Sequence, residues 1–170
     1  MNAEQLRAVQ APLKDSYRSD PKSAVITLTA EGHLGEESIS CSVQTHKAMV
    51  NAGLHPAAGG DGSFACSGDM LLEALVACAG VTLRAVSTAL GINVKSGTVF
   101  AEGDLDFRGT LGVDRESPAG FRAIRLRFAL DSDASAEQQA KLISLTERYC
   151  VIYQSLVRPP QLSLSVGAAS

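Results

Sequence analysis

Apolar residues dominate one uninterrupted stretch of the chain, residues 67–90, at a spacing that predicts a long helix. At about 100° per residue, one face carries Leu71, Leu75, Cys78, Thr82, Ala85 and Ala89. Small or polar side chains form a single narrow stripe that consists of Glu73, Ala77, Gly80, Arg84 and Ser87. A helix that is apolar almost all round has to be covered on most sides. We therefore expect the rest of the chain to surround this helix, and Cys78 to lie deep, away from water.

Both ends of this central helix carry recognisable signals. Ser67 and Asp69 are each able to cap its N-terminus, because their side-chain oxygens can accept hydrogen bonds from free backbone N–H groups. Gly91 follows the last apolar residue and suits the left-handed backbone with which many helices end. Residues 53–62, rich in Gly and Pro, predict the loop that leads into the helix.

Alternating, β-branched segments on both sides of the central helix predict strands. Residues 24–30 and 39–43 alternate around a turn at 31–36, which predicts a hairpin. Residues 94–105 and 121–130 predict two more strands after the central helix. In the second of these, alternation places four apolar side chains towards a core and two arginines outwards: Ile124, Leu126, Phe128 and Leu130, against Arg125 and Arg127.

A second helix is predicted near the C-terminus. Ser135 and Gln138 have the spacing of a capping box, and apolar residues then recur at helical spacing as far as Leu156. Cys150 lies inside this predicted helix, and Pro159 stops it. Leu162, Leu164 and Val166 alternate with polar residues and predict a final strand. This order of strands and helices predicts an α+β fold.

The chain divides into an arm and one domain. Residues 1–23 combine helix-forming residues with Pro12 and a Ser-Asp-Pro turn, which predicts a short helix followed by an arm. Residues 24–170 form a single predicted domain, since a chain of 170 residues buries about 70% of its unfolded surface, enough for one core.

Composition excludes several classes of function. The net charge of −3 and the lack of any Lys/Arg cluster argue against a nucleic-acid partner. The polar N-terminus lacks the features of a secretion signal, so we expect a cytoplasmic protein. Asp69, Glu73 and Arg84 interrupt the central helix, so we expect a buried helix of a soluble protein and no membrane partner.

Four cysteines carry the candidate chemistry: Cys41, Cys66, Cys78 and Cys150. In a reducing compartment they are not expected to form a structural disulfide framework. No Cys-x-x-Cys or His-x-x-x-His spacing occurs, so we expect neither a metal nor another cofactor. Redox chemistry of the thiols remains the alternative to a purely packing role.

The arrangement of two of these cysteines resembles that of the OsmC family, which comprises osmotically inducible protein C and the organic hydroperoxide resistance proteins. Cys78 lies inside the apolar helix, in Leu71-Leu72-Glu73-Ala74-Leu75-Val76-Ala77-Cys78, and Cys150 follows 72 positions later in Arg148-Tyr149-Cys150-Val151. The resemblance covers residues from about 24 to 166, including the order of elements. It implies an OsmC-like fold in which antiparallel sheets wrap two central helices, within an intertwined homodimer whose active sites lie at the subunit interface.

The resemblance also implies an activity, namely a thiol-dependent peroxidase that reduces organic hydroperoxides in oxidative-stress defence. By position, Cys78 corresponds to the peroxidatic thiol and Cys150 to the resolving thiol. A thiolate that attacks a peroxide becomes a sulfenic acid, which a second thiol converts to a disulfide. The implied partners are a hydroperoxide substrate and a dithiol reductant, either a small molecule or a protein.

The sequence departs from the family pattern where the reactive thiol would be activated. Family members supply an Arg from the N-terminal region and a Glu ten positions before the reactive Cys. Arg18 is our candidate for the cation, but Gly68 occupies the position of the Glu. Asp69 is adjacent, yet nine residues at 100° each place it on the opposite side of the helix from Cys78.

Other interpretations of the cysteines stay open at this point. Cys66 is either a packing residue or a third redox thiol, and Cys41 is interpreted as structural because it alternates within a predicted strand. The alternative function is a non-catalytic OsmC-like protein that binds an apolar ligand, or senses redox state, at the dimer interface. The loss of the family Glu at Gly68 favours this alternative. A structural dimer with inert thiols is the third interpretation, because buried thiols pack as small hydrophobes.

Overall fold

The first element is a helix that continues through a proline. In the computed structural model, which describes residues 2–25, 27, 32–34, 40–44 and 49–167, helix α1 spans Ala3–Ser19. Asn2 and Gln5 form a capping box at its start. This helix is longer than the short helix that the sequence predicted, because it continues through Pro12. Asp20 then caps a short 3₁₀ turn, Pro21–Ala24.

Before the central helix, the described residues form four strands of one sheet, in the order β1-β2-β3-β4. They span Gly32–Leu34, Ser40–Gln44, Met49–Gly53 and Ala65–Cys66. Neighbours pair antiparallel except β3 and β4, which pair parallel.

The first sheet agrees only in part with the predicted hairpin. The second predicted strand, 39–43, is confirmed for residues 40–43, whereas residues 32–34 form a strand inside the predicted turn. Most of the first predicted strand, 24–30, lies outside the described residues. Strands β3 and β4 were not predicted, because neither shows a long alternation of apolar and polar residues.

The central helix has the predicted bounds. Helix α2 spans Ser67–Leu90, and Gly91 ends it with φ +68°, the left-handed conformation that glycine adopts without strain. The predicted N-terminal caps are wrong, because Cys66 is the N-cap residue and Ser67 and Asp69 both lie in the first turn.

Helix α2 buries one face in the single chain. Its buried residues follow one another at a spacing of four: Leu75, Ala79, Leu83 and Ser87. In the polar stripe, Glu73, Ala77 and Arg84 are exposed and Gly80 is half-buried, whereas Ser87 is buried and its hydroxyl donates to the Arg84 carbonyl. On the uncovered side, Val81 is 73% exposed. Cys78 is accordingly half-buried, so the prediction that it lies deep is wrong for the single chain.

Two long strands follow the central helix as predicted. Strand β5 spans Val94–Leu105, and β6 spans Phe121–Ser132, paired antiparallel in a two-stranded sheet. The alternation in β6 is confirmed, because its four apolar side chains are half-buried while Arg125 and Arg127 are exposed. Between the strands, the short helix α3, Phe107–Thr110, occupies part of the predicted turn region.

The predicted C-terminal helix is two helices. Helix α4, Ala136–Tyr149, begins with the predicted capping box of Ser135 and Gln138. Helix α5 spans Val151–Val157, and Cys150 lies between the two with φ −73° and ψ 109°. Cys150 is therefore the junction of two helices and not an internal helical residue.

The last predicted strand is wrong for this chain. Residues 159–167 pair with no strand that the structure describes. Leu162, Leu164 and Val166 keep their alternation but are 86%, 92% and 93% exposed. An alternating segment forms a strand only where another edge provides hydrogen-bond partners.

The core lies where α2 packs against α4, α5 and β5. One cluster contains Leu83, Ile92, Val94 and Leu142, and a second contains Leu75, Ala79 and Cys150. Among the described helices, α2 alone has the length and hydropathy of a membrane span. A core helix of a globular protein has the same composition, and α2 contributes buried residues to both core clusters.

Candidate functional site

The central helix and the junction of the last two helices bring the two cysteines of the sequence motif together. Cys78 projects from α2, and Cys150 connects α4 to α5. Cys78 packs against the buried cluster that contains Cys150, and the two thiols shift each other's pKa. Cys78 is half-buried and Cys150 is 1% exposed. The structure thus joins the two predicted thiols in one site.

Backbone hydrogen bonds hold the helix junction in place. The Cys150 N–H donates to the Thr146 carbonyl at 2.9 Å and ends α4, while the Cys150 carbonyl accepts from Gln154 N–H at 2.9 Å and begins α5. The Gln154 side chain also donates to the Glu147 carbonyl at 2.8 Å, which ties α5 back to α4. The break therefore leaves the first N–H groups of α5 without helical partners.

These free N–H groups solvate the sulfur of Cys78. Burial by itself raises the pKa of the Cys78 thiol, because a thiolate is less stable away from water. Four neighbouring groups outweigh that effect and lower the pKa: the Ile152 N–H, the Cys150 thiol, the Val151 N–H and the Thr82 hydroxyl. The net result is a pKa below the ordinary value, which favours the thiolate form of Cys78 relative to a free cysteine.

The partner thiol is shifted in the opposite direction. Burial raises the pKa of Cys150, and the Tyr153 N–H opposes this only in part. The hydrogen bond to Cys78 and the negative charge on that sulfur raise the pKa of Cys150 further. The two pKa values are therefore shifted apart, in the directions that suit Cys78 as the nucleophile and Cys150 as its partner.

A mainly apolar cavity of about 550 Å³ shares wall residues with the cluster around the two cysteines, although neither cysteine lines it. Leu75, which lines it, lies one turn before Cys78, and Tyr153, also on its wall, lies three residues after Cys150. The remaining walls come mainly from α2, β6 and α5: Leu71, Gly120, Phe121, Arg122, Ala123, Ile124, Leu126, Leu156 and Val157. A cavity of this volume and character accommodates an alkyl or aryl group.

One cation lies in the wall of this cavity. Arg122 is 59% exposed at its side chain and lies 3.6 Å from an Asp106 carboxylate oxygen. Arg108 binds the same carboxylate at 2.6 Å, and its hydrogen bond holds the pKa of Asp106 well below the ordinary range. Asp106 is therefore ionised across the neutral pH range and anchors Arg122 at the rim.

The predicted cation lies elsewhere in this chain. Arg18 is in α1, where its side chain is 74% exposed and binds Asp15 at 2.7 Å. The hydrogen-bond donors to Cys78 come instead from α2 and from the α4–α5 junction. The role predicted for Arg18 stays a prediction.

The start of α2 forms a second, separate cavity of about 360 Å³. Cys66, Gly68 and Asp69 line it together with His55. Cys66 is twelve residues before Cys78, about 18 Å along a helix, which is beyond the reach of a disulfide. Asp69 is exposed and faces this second cavity. Cys41 lies in β2 as predicted.

Sequence reasoning did not identify the donors to Cys78. Thr82 shares a helix face with Cys78, and that spacing is visible in the sequence. The roles of Val151 and Ile152 depend on the helix break, which neither proline nor glycine marks. The only sequence signal is the β-branched pair itself, which lowers helix propensity. Among the residues that the structure describes, no three His, Cys, Asp or Glu side chains form a metal-binding group.

Comparison with known families and structures gives a consistent assignment. Residues 60–165 match the family described as OsmC-like protein. No curated protein sequence matches the chain.

Solved structures share the fold at low sequence identity. An OsmC-like protein from Mycoplasma pneumoniae is 17% identical, with a TM-score of 0.66 over 79% of this chain and 89% of that one. An organic hydroperoxide resistance protein, OsmC, from Legionella pneumophila is 15% identical, with a TM-score of 0.61 over 80% and 92%. An OsmC-like protein of unknown function from Vibrio cholerae is 14% identical, with a TM-score of 0.60 over 77% and 94%.

Proposed function

The chain belongs to the OsmC-like protein family, and we propose that it is a thiol-dependent peroxidase that reduces organic hydroperoxides through Cys78 and Cys150. The observation that carries the proposal is the contact between the two thiols, whose pKa values are shifted in opposite directions. The description of one structural neighbour as an organic hydroperoxide resistance protein agrees with it.

The proposed reaction begins at the Cys78 thiolate. The sulfur attacks the terminal oxygen of R–O–OH, so that an S–O bond forms and the O–O bond breaks. The alkoxide R–O⁻ leaves and takes a proton from water to become the alcohol. Cys78 is then a sulfenic acid, and the sulfur has been oxidised by two electrons.

Cys150 completes the oxidative half of the cycle. Its sulfur attacks the sulfur of the sulfenic acid, an S–S bond forms, and the hydroxyl group leaves with the proton of Cys150 as water. A dithiol reductant then reduces the disulfide and restores both thiols. The contact between the two side chains supports rapid disulfide formation, because the resolving thiol already lies beside the sulfur that it attacks.

The apolar cavity supports organic hydroperoxides as the substrate class. Leu75 and Tyr153 connect its wall to the two cysteines, so an alkyl group bound there would place its peroxide near the sulfur. Hydrogen peroxide has no apolar part and would gain no binding free energy from contact with this apolar wall.

A homodimer is part of the proposal. Val81 on α2 and the segment with Leu162, Leu164 and Val166 expose apolar side chains that a second copy could cover. In such a dimer the sheets would wrap the two central helices, as the family resemblance implies. We place the protein in the cytoplasm, where dithiol reductants keep such thiols active.

A redox-sensing or ligand-binding protein is the second candidate. The replacement of the family Glu by Gly68 favours it, because the site then has no carboxylate at that position. The test is the consumption of cumene hydroperoxide by the reduced protein in the presence of a dithiol. Turnover that Cys78→Ser abolishes would support the peroxidase, whereas binding of the hydroperoxide without turnover would support the second candidate.

A further inference from the structure

Arg122 carries the only charge among the described residues that line the cavity of about 550 Å³. The other wall residues are apolar or glycine, apart from Tyr153 with its phenol group. Ile124 and Leu126 of the same strand also line this cavity and are half-buried, as the apolar pattern of β6 requires. In a mainly apolar cavity, a single polar group of this kind can fix the orientation of a bound ligand.

A β-bulge places Arg122 at this position. In the pairing of β5 with β6, Ala123 lies opposite Asp104 and Phe121 lies opposite Leu105, so Arg122 is an extra residue between two paired positions. A bulge bends its strand and changes the direction of the side chains there, and bulges are common next to functional sites. The bulge therefore interrupts the alternation of β6 at the end of the strand that lies in the cavity wall.

The guanidinium of Arg122 keeps hydrogen-bond donors for a ligand. Within the described part of the chain it makes no hydrogen bond, and its ion pair with an Asp106 oxygen is 3.6 Å long. Arg108 already binds both oxygens of Asp106, at 3.0 and 2.6 Å. Asp104, the other carboxylate that interacts with Arg122, is bound by Arg125 at 2.8 Å. Each carboxylate thus has a guanidinium of its own, and the free N–H groups of Arg122 can bind a further carboxylate by two parallel hydrogen bonds.

The cavity extends from this cation towards the two cysteines. Ile124 and Leu126 belong both to its wall and to the cluster that contains Cys150, whereas Phe121, next to Arg122, belongs only to the wall. Residues of a strand are about 3.3 Å apart, so Ile124 and Leu126 lie roughly 7 and 13 Å along β6 from Arg122. A ligand that reaches from one end to the other therefore needs an apolar chain of several carbon atoms.

We propose that Arg122 forms an anion subsite of this cavity, which binds the carboxylate of an amphipathic ligand whose apolar chain lies against the wall. For the reaction, Arg122 is then a specificity-determining residue that favours hydroperoxides with a carboxylate remote from the peroxide group. That preference rests on the proposed function, whereas the subsite does not. An anion and an apolar chain bind to these residues whether or not Cys78 reacts with a peroxide.

The experiment measures the binding of octanoate and of 1-octanol to the reduced protein by isothermal titration calorimetry at pH 7. The two ligands have the same chain length, and only octanoate is charged at this pH. Arg122→Gln removes the cation. Arg127→Gln is the matched control, because Arg127 is an exposed arginine of the same strand that lies over the Phe100 ring, outside this wall. Leu156→Gln changes the apolar wall and leaves the cation in place, and circular dichroism melts confirm that each variant is folded.

We expect the unmodified protein to bind octanoate more tightly than 1-octanol. Arg122→Gln should weaken octanoate binding by about threefold to tenfold and change 1-octanol binding by less than about twofold. Arg127→Gln should bind both ligands as the unmodified protein does, and Leu156→Gln should weaken the binding of both. The inference would be overturned by no measurable binding of octanoate, by an octanoate affinity that is unchanged in Arg122→Gln, or by an equal loss in Arg127→Gln.

The subsite and the peroxidase can fail separately. A protein that binds octanoate through Arg122 but consumes no hydroperoxide would retain the subsite and lose the peroxidase. A protein that reduces cumene hydroperoxide but binds octanoate no more tightly than 1-octanol would retain the peroxidase and lose the subsite.

Discussion

Cys78 packs against the buried cluster that contains Cys150, and the two thiols shift each other's pKa at the point where α4 ends and α5 begins. This contact links the break in the C-terminal helix to the chemistry of the central helix. The break frees the backbone N–H groups of Val151 and Ile152, and both groups lower the pKa of Cys78. In the proposed reaction, local backbone geometry thus contributes to the activation of Cys78, a role that the family resemblance assigns to charged side chains.

The two thiols should titrate in separate pH ranges. Alkylation rates follow the thiolate fraction, so a lowered pKa moves the Cys78 profile below the midpoint of about pH 8.5 expected for free cysteine, and a raised pKa moves that of Cys150 above it. Peptide mapping after brief iodoacetamide exposure at pH 7 should find Cys78 modified first. Equal modification of both residues at pH 7 would contradict the opposite shifts.

The reactivity of Cys78 should depend little on salt, because its described donors are neutral groups. Between about 0.01 M and about 1 M salt, where the Debye length falls from roughly 30 to roughly 3 Å, we expect the alkylation rate to change less than about twofold. The comparison includes Arg18→Gln, with Arg7→Gln as the control on the same helix. A rate that falls with salt in the unmodified protein, but not in Arg18→Gln, would assign the activating charge to Arg18.

The apolar cavity should select the substrate. Leu156→Gln places an amide in the cavity wall and should lower kcat/KM for cumene hydroperoxide by about tenfold, while the value for hydrogen peroxide stays the same. Leu111→Gln is the matched control, because Leu111 is 55% exposed and outside this wall. Equal losses for both peroxides in Leu156→Gln would show that the cavity does not hold the organic group.

The uncovered side of α2 should be an interface between two copies of the chain. Val81 and Val113 are 73% and 75% exposed, so Val81→Glu and Val113→Glu change surfaces of equal accessibility. Sedimentation velocity should show a dimer for the unmodified protein and for Val113→Glu, and a smaller species for Val81→Glu. An unmodified protein that sediments as a monomer at all concentrations would contradict the proposed dimer.

Much of the fold could be predicted from the sequence, because the patterns are long. Residues 67–90 and 94–105 have the predicted bounds, because an apolar pattern that repeats over many residues fits only one type of secondary structure. The short strands β3 and β4 escaped prediction, because a few residues cannot display a period. The final strand was predicted from real alternation, but a strand also needs a pairing partner, which no pattern in a single sequence supplies.

The candidate site was predictable as a pair of residues but not as an environment. The family resemblance selected Cys78 and Cys150, and the structure brings them into contact. The activating groups were not predictable, because two of them are backbone N–H groups that lack a helical partner only where the helix breaks at Cys150. A charged side chain was expected to activate Cys78, because a sequence shows side-chain types and does not show backbone geometry.

The most direct measurement follows the thiols of the reduced protein after one equivalent of cumene hydroperoxide is added under anaerobic conditions. We expect rapid loss of two thiols and a disulfide between Cys78 and Cys150 by mass spectrometry, while Cys150→Ser should stop at a sulfenic acid on Cys78. Thiols that remain unchanged after long exposure to excess hydroperoxide would contradict the peroxidase and leave ligand binding or redox sensing as the function.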